Sequence, residues 1–212
     1  ELVSPGPPGV LAGPRGAQSL LEVLGVLRSM GVQAGTSSGL HVHVNVADAR
    51  APGAPLTHRG IAHVWAAFAK YQLVIDEVLS PTRIHNRYAQ PLFLGAGAGP
   101  EVKGFFLNMH SYLSQAGGGP ERTLRDFCNA ALGASEQPCD ERYPNERYYA
   151  LNLAALGRLG TLEFRGHSAT YDEERVLHWT LFVVAFVEHF GGEGGAREVG
   201  PFFEGAAAEG LG

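Results

Sequence analysis

Two short segments with strictly alternating polar and apolar residues constrain the fold of this 212-residue chain more than any other feature. The segments are LHVHVNV (40–46) and TLEFRGH (161–167). Because successive side chains of a β-strand point to opposite faces, each segment predicts a strand with one apolar and one polar face. The predicted polar faces carry His41, His43 and Asn45 in the first strand and Thr161, Glu163, Arg165 and His167 in the second.

In most segments outside these strands, apolar residues recur at the spacing of an amphipathic helix. Helices are predicted at 17–31, from a Thr57 N-cap to about Leu79, around 105–113 and 124–132, and from an Asp172 cap to Phe190. RYYALNLAAL (147–156) predicts a third strand, and the Gly/Ala/Glu-rich residues 191–212 predict a flexible tail. This mixture predicts an α+β fold, an antiparallel sheet with helices packed on one face.

Composition narrows the class of protein. A net charge of −5 argues against a nucleic-acid-binding surface, and no apolar run is long enough to span a membrane. The N-terminus lacks the basic and apolar regions of a secretory signal, so a cytoplasmic location is expected. Cys128 and Cys139 are therefore predicted to be free thiols.

The polar faces of the two strands carry the chemistry. His41 and His43 lie two residues apart, about 7 Å along a strand, so both imidazoles can reach one ligand. Glu163 and Arg165 share a face in the same way. A carboxylate can hold a hard cation and a guanidinium can clamp a phosphate or carboxylate, although either pair also fits an ordinary solvated sheet face.

The sequence does not decide the roles of two further groups of polar residues. TRIHNRYAQPL places Arg83, His85, Arg87 and Tyr88 in one loop, which is suited to an anion but equally typical of a polar surface. In the predicted third strand, Arg147 and Asn152 fall on opposite faces unless a bulge intervenes.

Five segments, taken in order, resemble the putative amidoligase family. They are ELVSP (1–5), SGLHVHVNV (38–46), RIHNRYAQPL (83–92), RYYALNL (147–153) and GTLEFRGHSAT (160–170). The resemblance covers residues 1–190 and implies an amidoligase-like catalytic domain there, with the tail at 191–212. The family is similar to glutamine synthetase, so the resemblance implies a glutamine synthetase-like sheet. No G-x-E-x-E segment precedes ELVSP, so we expect an N-terminally truncated domain.

The resemblance also implies a reaction and a set of roles. An ATP-dependent carboxylate–amine ligase would join a small-molecule or peptide carboxylate to an amine through an acyl phosphate, with Mg²⁺ or Mn²⁺, and could form a homo-oligomer. The implied metal ligands are Glu1, His43 and Glu163, the nucleotide contacts are His41, Ser38 and Arg165, and the catalytic residues are Arg165, Arg147 and Arg87. Which of His41 and His43 is the metal ligand stays open.

Two alternatives of other classes remain. A His-x-His pair on a strand is also typical of the metal sites of metal-dependent amidohydrolases. These enzymes need a (β/α)₈ barrel, and the residues after His43 show no repeated βα units. The other alternative is a non-catalytic domain of the same fold that binds a ligand or partner.

Overall fold

The computed structural model describes residues 3–4, 11–35, 37–47, 55–84, 86–92, 100–115, 123–133 and 148–209. Within these residues, one antiparallel sheet contains the strands β1 (Gly39–Asn45), β2 (Leu151–Asn152) and β3 (Thr161–Ser168) in the order β1-β3-β2. The central position of β3 places the polar face of this strand between two neighbours. The sheet and its surrounding helices confirm the predicted α+β class.

The predicted helices are present, with longer or shifted bounds. In chain order the helices of the described residues are α1 (Gly13–Ser29), α2 (His58–Asp76), α3 (Pro81–Ile84), α4 (Pro100–Gln115), α5 (Leu124–Ala131), α6 (Ala154–Leu159), α7 (Glu173–Gly191), α8 (Glu193–Glu198) and α9 (Gly200–Glu209). None of these helices has the length and apolar character needed to cross a bilayer. Cys128 is buried in α5, where its thiol donates a hydrogen bond to the Leu153 carbonyl at 3.2 Å, and Cys139 lies outside the described residues.

One face of the sheet is buried under α2 and α7. Leu162 and Phe164 of β3 are fully buried. The Phe164 ring packs 5.8 Å from Phe68 of α2 and 6.4 Å from Phe186 of α7, between ring centroids. The alternating polar residues of β3 consequently point to the opposite face, which α2 and α7 do not cover.

A β-bulge interrupts the pairing of β1 with β3. Leu40 pairs with His167 and Val42 with Phe164, so two steps along β1 oppose three steps along β3. The extra residue lies at Arg165–Gly166 and reverses the alternation beyond it. His167 therefore turns to the helix-covered face, where its ring lies 5.4 Å from Trp179. The prediction that His167 shares the face of Glu163 was wrong for this reason.

The third strand is much shorter than predicted. Of the described residues 148–156, only Leu151–Asn152 form a strand that pairs with β3, and α6 begins two residues later. The Asn152 side-chain oxygen accepts a hydrogen bond from the Ala154 backbone N–H at 2.8 Å. Such a local bond offers the backbone an alternative to the sheet ladder. The helix ends at Gly160, whose φ of +67° suits glycine.

The segment after residue 191 also differs from its prediction. Instead of a flexible tail, residues 193–209 form α8 and α9, and Val199 and Phe203 are fully buried. The Phe203 ring packs 5.9 Å from Phe106 of α4. Glycine permits the close approach of α8 to α7, because a Cβ at Gly195 would overlap the Phe190 carbonyl. At this position glycine thus reflects a close helix contact rather than disorder.

The start of α2 depends on the predicted cap. The Thr57 hydroxyl accepts a hydrogen bond from the Gly60 backbone N–H at 3.0 Å. We expect Thr57→Ala to lower the free energy of unfolding by about 1 kcal/mol, because that N–H loses its partner. Urea denaturation measures this change, with Ser19→Ala on the exposed side of α1 as the control. Equal losses in both variants would contradict a capping role.

Candidate active site on the open sheet face

Glu163 stands at the centre of the open sheet face. It lies on the middle strand, with His43 of β1 as its register partner on one side and Asn152 of β2 on the other. Glu163 is only 6% exposed. A buried carboxylate must be compensated by hydrogen bonds and positive charge, and the neighbouring strands supply both.

Four side chains converge on the Glu163 carboxylate. Asn152 donates to Oε2 at 2.6 Å, and the Arg165 Nη1 donates to Oε1 at 2.8 Å. His41 Nδ1 lies 3.1 Å and His43 Nε2 lies 3.6 Å from the same Oε1. The two histidines and the Glu163–Arg165 pair, each singled out in the sequence, thus form one cluster.

This environment stabilises the ionised carboxylate. Burial alone would raise the pKa of Glu163, but hydrogen bonds from His41 and Asn152 and the charge of Arg165 outweigh it and lower the pKa to about 2. Glu163 is therefore a carboxylate throughout the physiological pH range.

The two histidines differ in their surroundings. His43 Nδ1 lies 2.9 Å from the Thr161 hydroxyl, so both of its ring nitrogens face polar atoms. Burial lowers the pKa of His43, and His41, Arg165 and Arg158 lower it further against the opposing effect of Glu163. His43 is thus neutral near pH 7. The side chains of His41 and His43 are 32% and 37% exposed, so both imidazoles are partly open to solvent.

Arg165 is held from two sides and is only 12% exposed. Its Nη1 binds Glu163, and its Nε donates to the Tyr88 carbonyl at 3.0 Å. Its guanidinium carbon lies 6.0 Å from the Tyr148 ring centroid, and the Tyr148 ring meets Tyr88 at 5.3 Å. The guanidinium of Arg87 stacks on Tyr88 at 4.6 Å. Arg87 thus lies beside the cluster, separated from Arg165 by the two tyrosines.

The structure does not bring the remaining predicted site residues into the described cluster. Ser38 precedes β1, where its carbonyl accepts the Ala169 N–H, and no contact joins it to Glu163. Glu1, Arg147 and His85 fall outside the described residues.

Sequence reasoning missed two contributors to the cluster. The role of Asn152 was left open, because the alternation rule assumed a continuous strand where only two residues are paired. Tyr148 carried no signal of its own, since its part in the site depends on contacts across the fold.

The described residues do not fit a divalent cation on their own. Among them, no group of three or more His, Cys, Asp or Glu side chains is arranged to hold a metal ion. His41 and His43 point toward a Glu163 oxygen that already lies 2.8 Å from the Arg165 guanidinium, so a cation there would meet a like charge. The predicted ligand Glu1 lies outside the described residues, and Mg²⁺ or Mn²⁺ binding stays a prediction.

The hydrogen-bond donors of the cluster suit an anion. Arg165 and the two imidazoles lie around Glu163, and the charge of Arg158 acts on His43. The Arg165 Nη2 has no hydrogen bond to any described residue, because the bonds of its side chain use Nε and Nη1. A guanidinium with a spare donor can bind a carboxylate or phosphate oxygen.

One of the three comparisons with known proteins produced a match. The model of a family described as "Putative amidoligase enzyme" matches residues 101–187, which include β2, β3 and most of α7. The match confirms the resemblance inferred from the sequence over these residues and indicates a ligase-type enzyme. No curated protein and no solved structure matched the chain.

Proposed function

We propose that this chain, which matches the amidoligase family over residues 101–187, is an ATP-dependent carboxylate–amine ligase that works on the open sheet face. The observation that carries the proposal is the Glu163 cluster, which combines an ionised carboxylate with an arginine fork, an amide and two imidazoles. Both central residues, Glu163 and Arg165, lie inside the matched segment.

The proposed reaction has two steps. A substrate carboxylate oxygen attacks the γ-phosphorus of ATP, which releases ADP and leaves an acyl phosphate. An amine nitrogen then attacks the acyl carbon, loses a proton and expels inorganic phosphate, so that an amide bond forms. Negative charge on phosphoryl oxygens is present throughout the first step, and fixed positive donors stabilise it.

Four residues of the cluster have a proposed part in this chemistry. The spare Nη2 of Arg165 binds an oxygen of the substrate carboxylate or of the transferring phosphoryl group. Glu163 fixes the orientation of Arg165 through its 2.8 Å hydrogen bond, and Asn152 holds the other carboxylate oxygen. His41, whose side chain is 32% exposed, offers a second donor at the edge of the site.

The hydrolase alternative fits the fold less well. Amidohydrolase sites need a closed barrel of parallel strands, whereas the described residues contain a three-stranded antiparallel sheet. A non-catalytic domain that binds an anion would use the same donors, and it becomes an outcome of the experiment below.

Hydroxylamine trapping tests the proposal. An acyl phosphate reacts with hydroxylamine to give a hydroxamate, so the amine substrate need not be known. The protein is incubated with ATP, Mg²⁺ or Mn²⁺, hydroxylamine and a panel of amino acids, dicarboxylates and short peptides. We expect a hydroxamate and an equal amount of ADP with at least one carboxylate. ATP-independent product would indicate a hydrolase, and nucleotide binding without product would indicate a binding domain.

A further inference from the structure

Arg83 of α3 is a buried cation that has no counter-ion in the part of the chain that the structure describes. It is only 3% exposed, and no described carboxylate forms an ion pair with it. Its Nη2 donates to the Arg165 backbone carbonyl at 2.7 Å, whereas its Nε has no hydrogen-bond partner among the described residues. Burial of a guanidinium without an ion pair destabilises the folded protein, so a buried arginine at this position needs a structural or functional explanation.

Gly39 makes the approach of Arg83 possible. A Cβ at position 39 would lie 2.7 Å from the Arg83 Nη2 and 3.1 Å from the Nε2 of His41. The 2.7 Å distance to Arg83 is shorter than real Cβ atoms show, so any larger residue would displace the guanidinium. The space that a side chain at position 39 would need is thus filled by the Arg83 guanidinium.

The carbonyl that Arg83 holds belongs to the bulge of β3. At Arg165–Gly166 the ladder with β1 is irregular, so this carbonyl depends on a partner outside the sheet. The Arg165 N–H is fixed by the Ala150 carbonyl at 2.8 Å on the β2 side. Arg83 therefore holds the Arg165 carbonyl, while Ala150 holds the Arg165 N–H. The backbone held in this way sets the direction of the Arg165 side chain, which binds Glu163.

We infer that Arg83 is a positioning residue, which fixes the bulge and so directs the Arg165 guanidinium toward Glu163 and the bound anion. Its uncompensated charge adds to the positive potential that favours the anion. The part of this inference that concerns the bound anion rests on the proposed function. The positioning of Arg165 does not, because it is a property of the protein without a ligand.

Three variants test the inference in the ligand-free full chain. Arg83→Met removes the donor, Arg83→Lys keeps a single donor, and Gly39→Ala pushes the guanidinium away without changing it. Proton exchange of the Arg165 Nε–H with solvent, measured by NMR, reports how firmly that side chain is held. Arg28→Met, an exposed arginine of α1, and Gly104→Ala, which has open space around it, are the matched controls.

We expect exchange at the Arg165 Nε–H to become at least about tenfold faster in Arg83→Met and Gly39→Ala. Arg83→Lys should fall between these and wild type, and both controls should match wild type. Amide exchange of Phe68, in the buried layer of α2, should stay unchanged and so separate local loosening from lost stability.

Wild-type exchange in both Arg83→Met and Gly39→Ala would overturn the inference. If Arg83→Met does not fold, Gly39→Ala and Arg83→Lys decide, because the Cβ at position 39 meets only the ends of side chains. Absence of ATP-dependent turnover would overturn the proposed function and leave this result intact, since the exchange measurement uses no ligand.

Discussion

As the pH falls from about 5 to about 2, the wild-type protein should lose about 3 kcal/mol of unfolding free energy that Glu163→Gln does not lose. The pKa of Glu163 is lowered from 4.5 to about 2 in the folded protein. A lowered pKa stabilises the fold fully above the unfolded value and no longer does so once the pH has fallen through the folded value. The side chain of Glu163 is 8% exposed, so solvent screens little of this effect.

Urea denaturation at several pH values, with a chelator present, measures this difference. Glu204→Gln is the matched control, because the pKa of Glu204 is lowered less strongly and its side chain is 48% exposed. Its acid profile should stay close to that of wild type. Parallel profiles of wild type and Glu163→Gln over this range would mean that the cluster does not hold Glu163 as an ionised carboxylate.

The second large effect concerns turnover. Arg165→Lys should reduce the kcat/KM of hydroxamate formation by about 100-fold or more, the loss typical of a donor to developing charge. Arginine supplies Nη1 to Glu163 and Nε to Tyr88 while Nη2 remains for the substrate. A lysine ammonium cannot reproduce this fork, although it keeps the charge.

Steady-state kinetics of the trapping reaction check this prediction. Arg28→Lys, the same change at an exposed position of α1, should match wild type. A fall in kcat would place Arg165 on the transferring group, and a rise in KM alone would place it on the bound carboxylate. A kcat/KM within about threefold of wild type would remove Arg165 from the reaction.

Much of the fold could be predicted because it follows from local periodicity. The alternation in residues 40–46 and 161–167 fixed which side chains meet at the sheet, and His41, His43, Glu163 and Arg165 do lie together. Two strands with one polar face each are enough to bring such residues to one surface if the strands pair in register.

The rest depends on contacts that no local pattern encodes. The bulge that turns His167 away arises from the pairing of β1 with β3. The polar and apolar residues of β3 alternate without interruption through it, so the sequence pattern does not reveal it. The burial of Arg83 depends on the absence of a side chain at Gly39, far away in sequence. The helices after residue 191 were missed because composition favoured disorder, whereas Phe203 is anchored in the core.

Calorimetric titration with a non-hydrolysable ATP analogue, with and without Mg²⁺ or Mn²⁺, tests the central claim most directly. That claim is that the Glu163 cluster forms part of a nucleotide-dependent ligase site. We expect metal-dependent binding to wild type and Arg28→Lys, and binding at least about tenfold weaker to Arg165→Lys, because the guanidinium fork contacts a phosphate or carboxylate oxygen. Binding of equal strength to all three proteins, or no binding to any of them, would contradict the account.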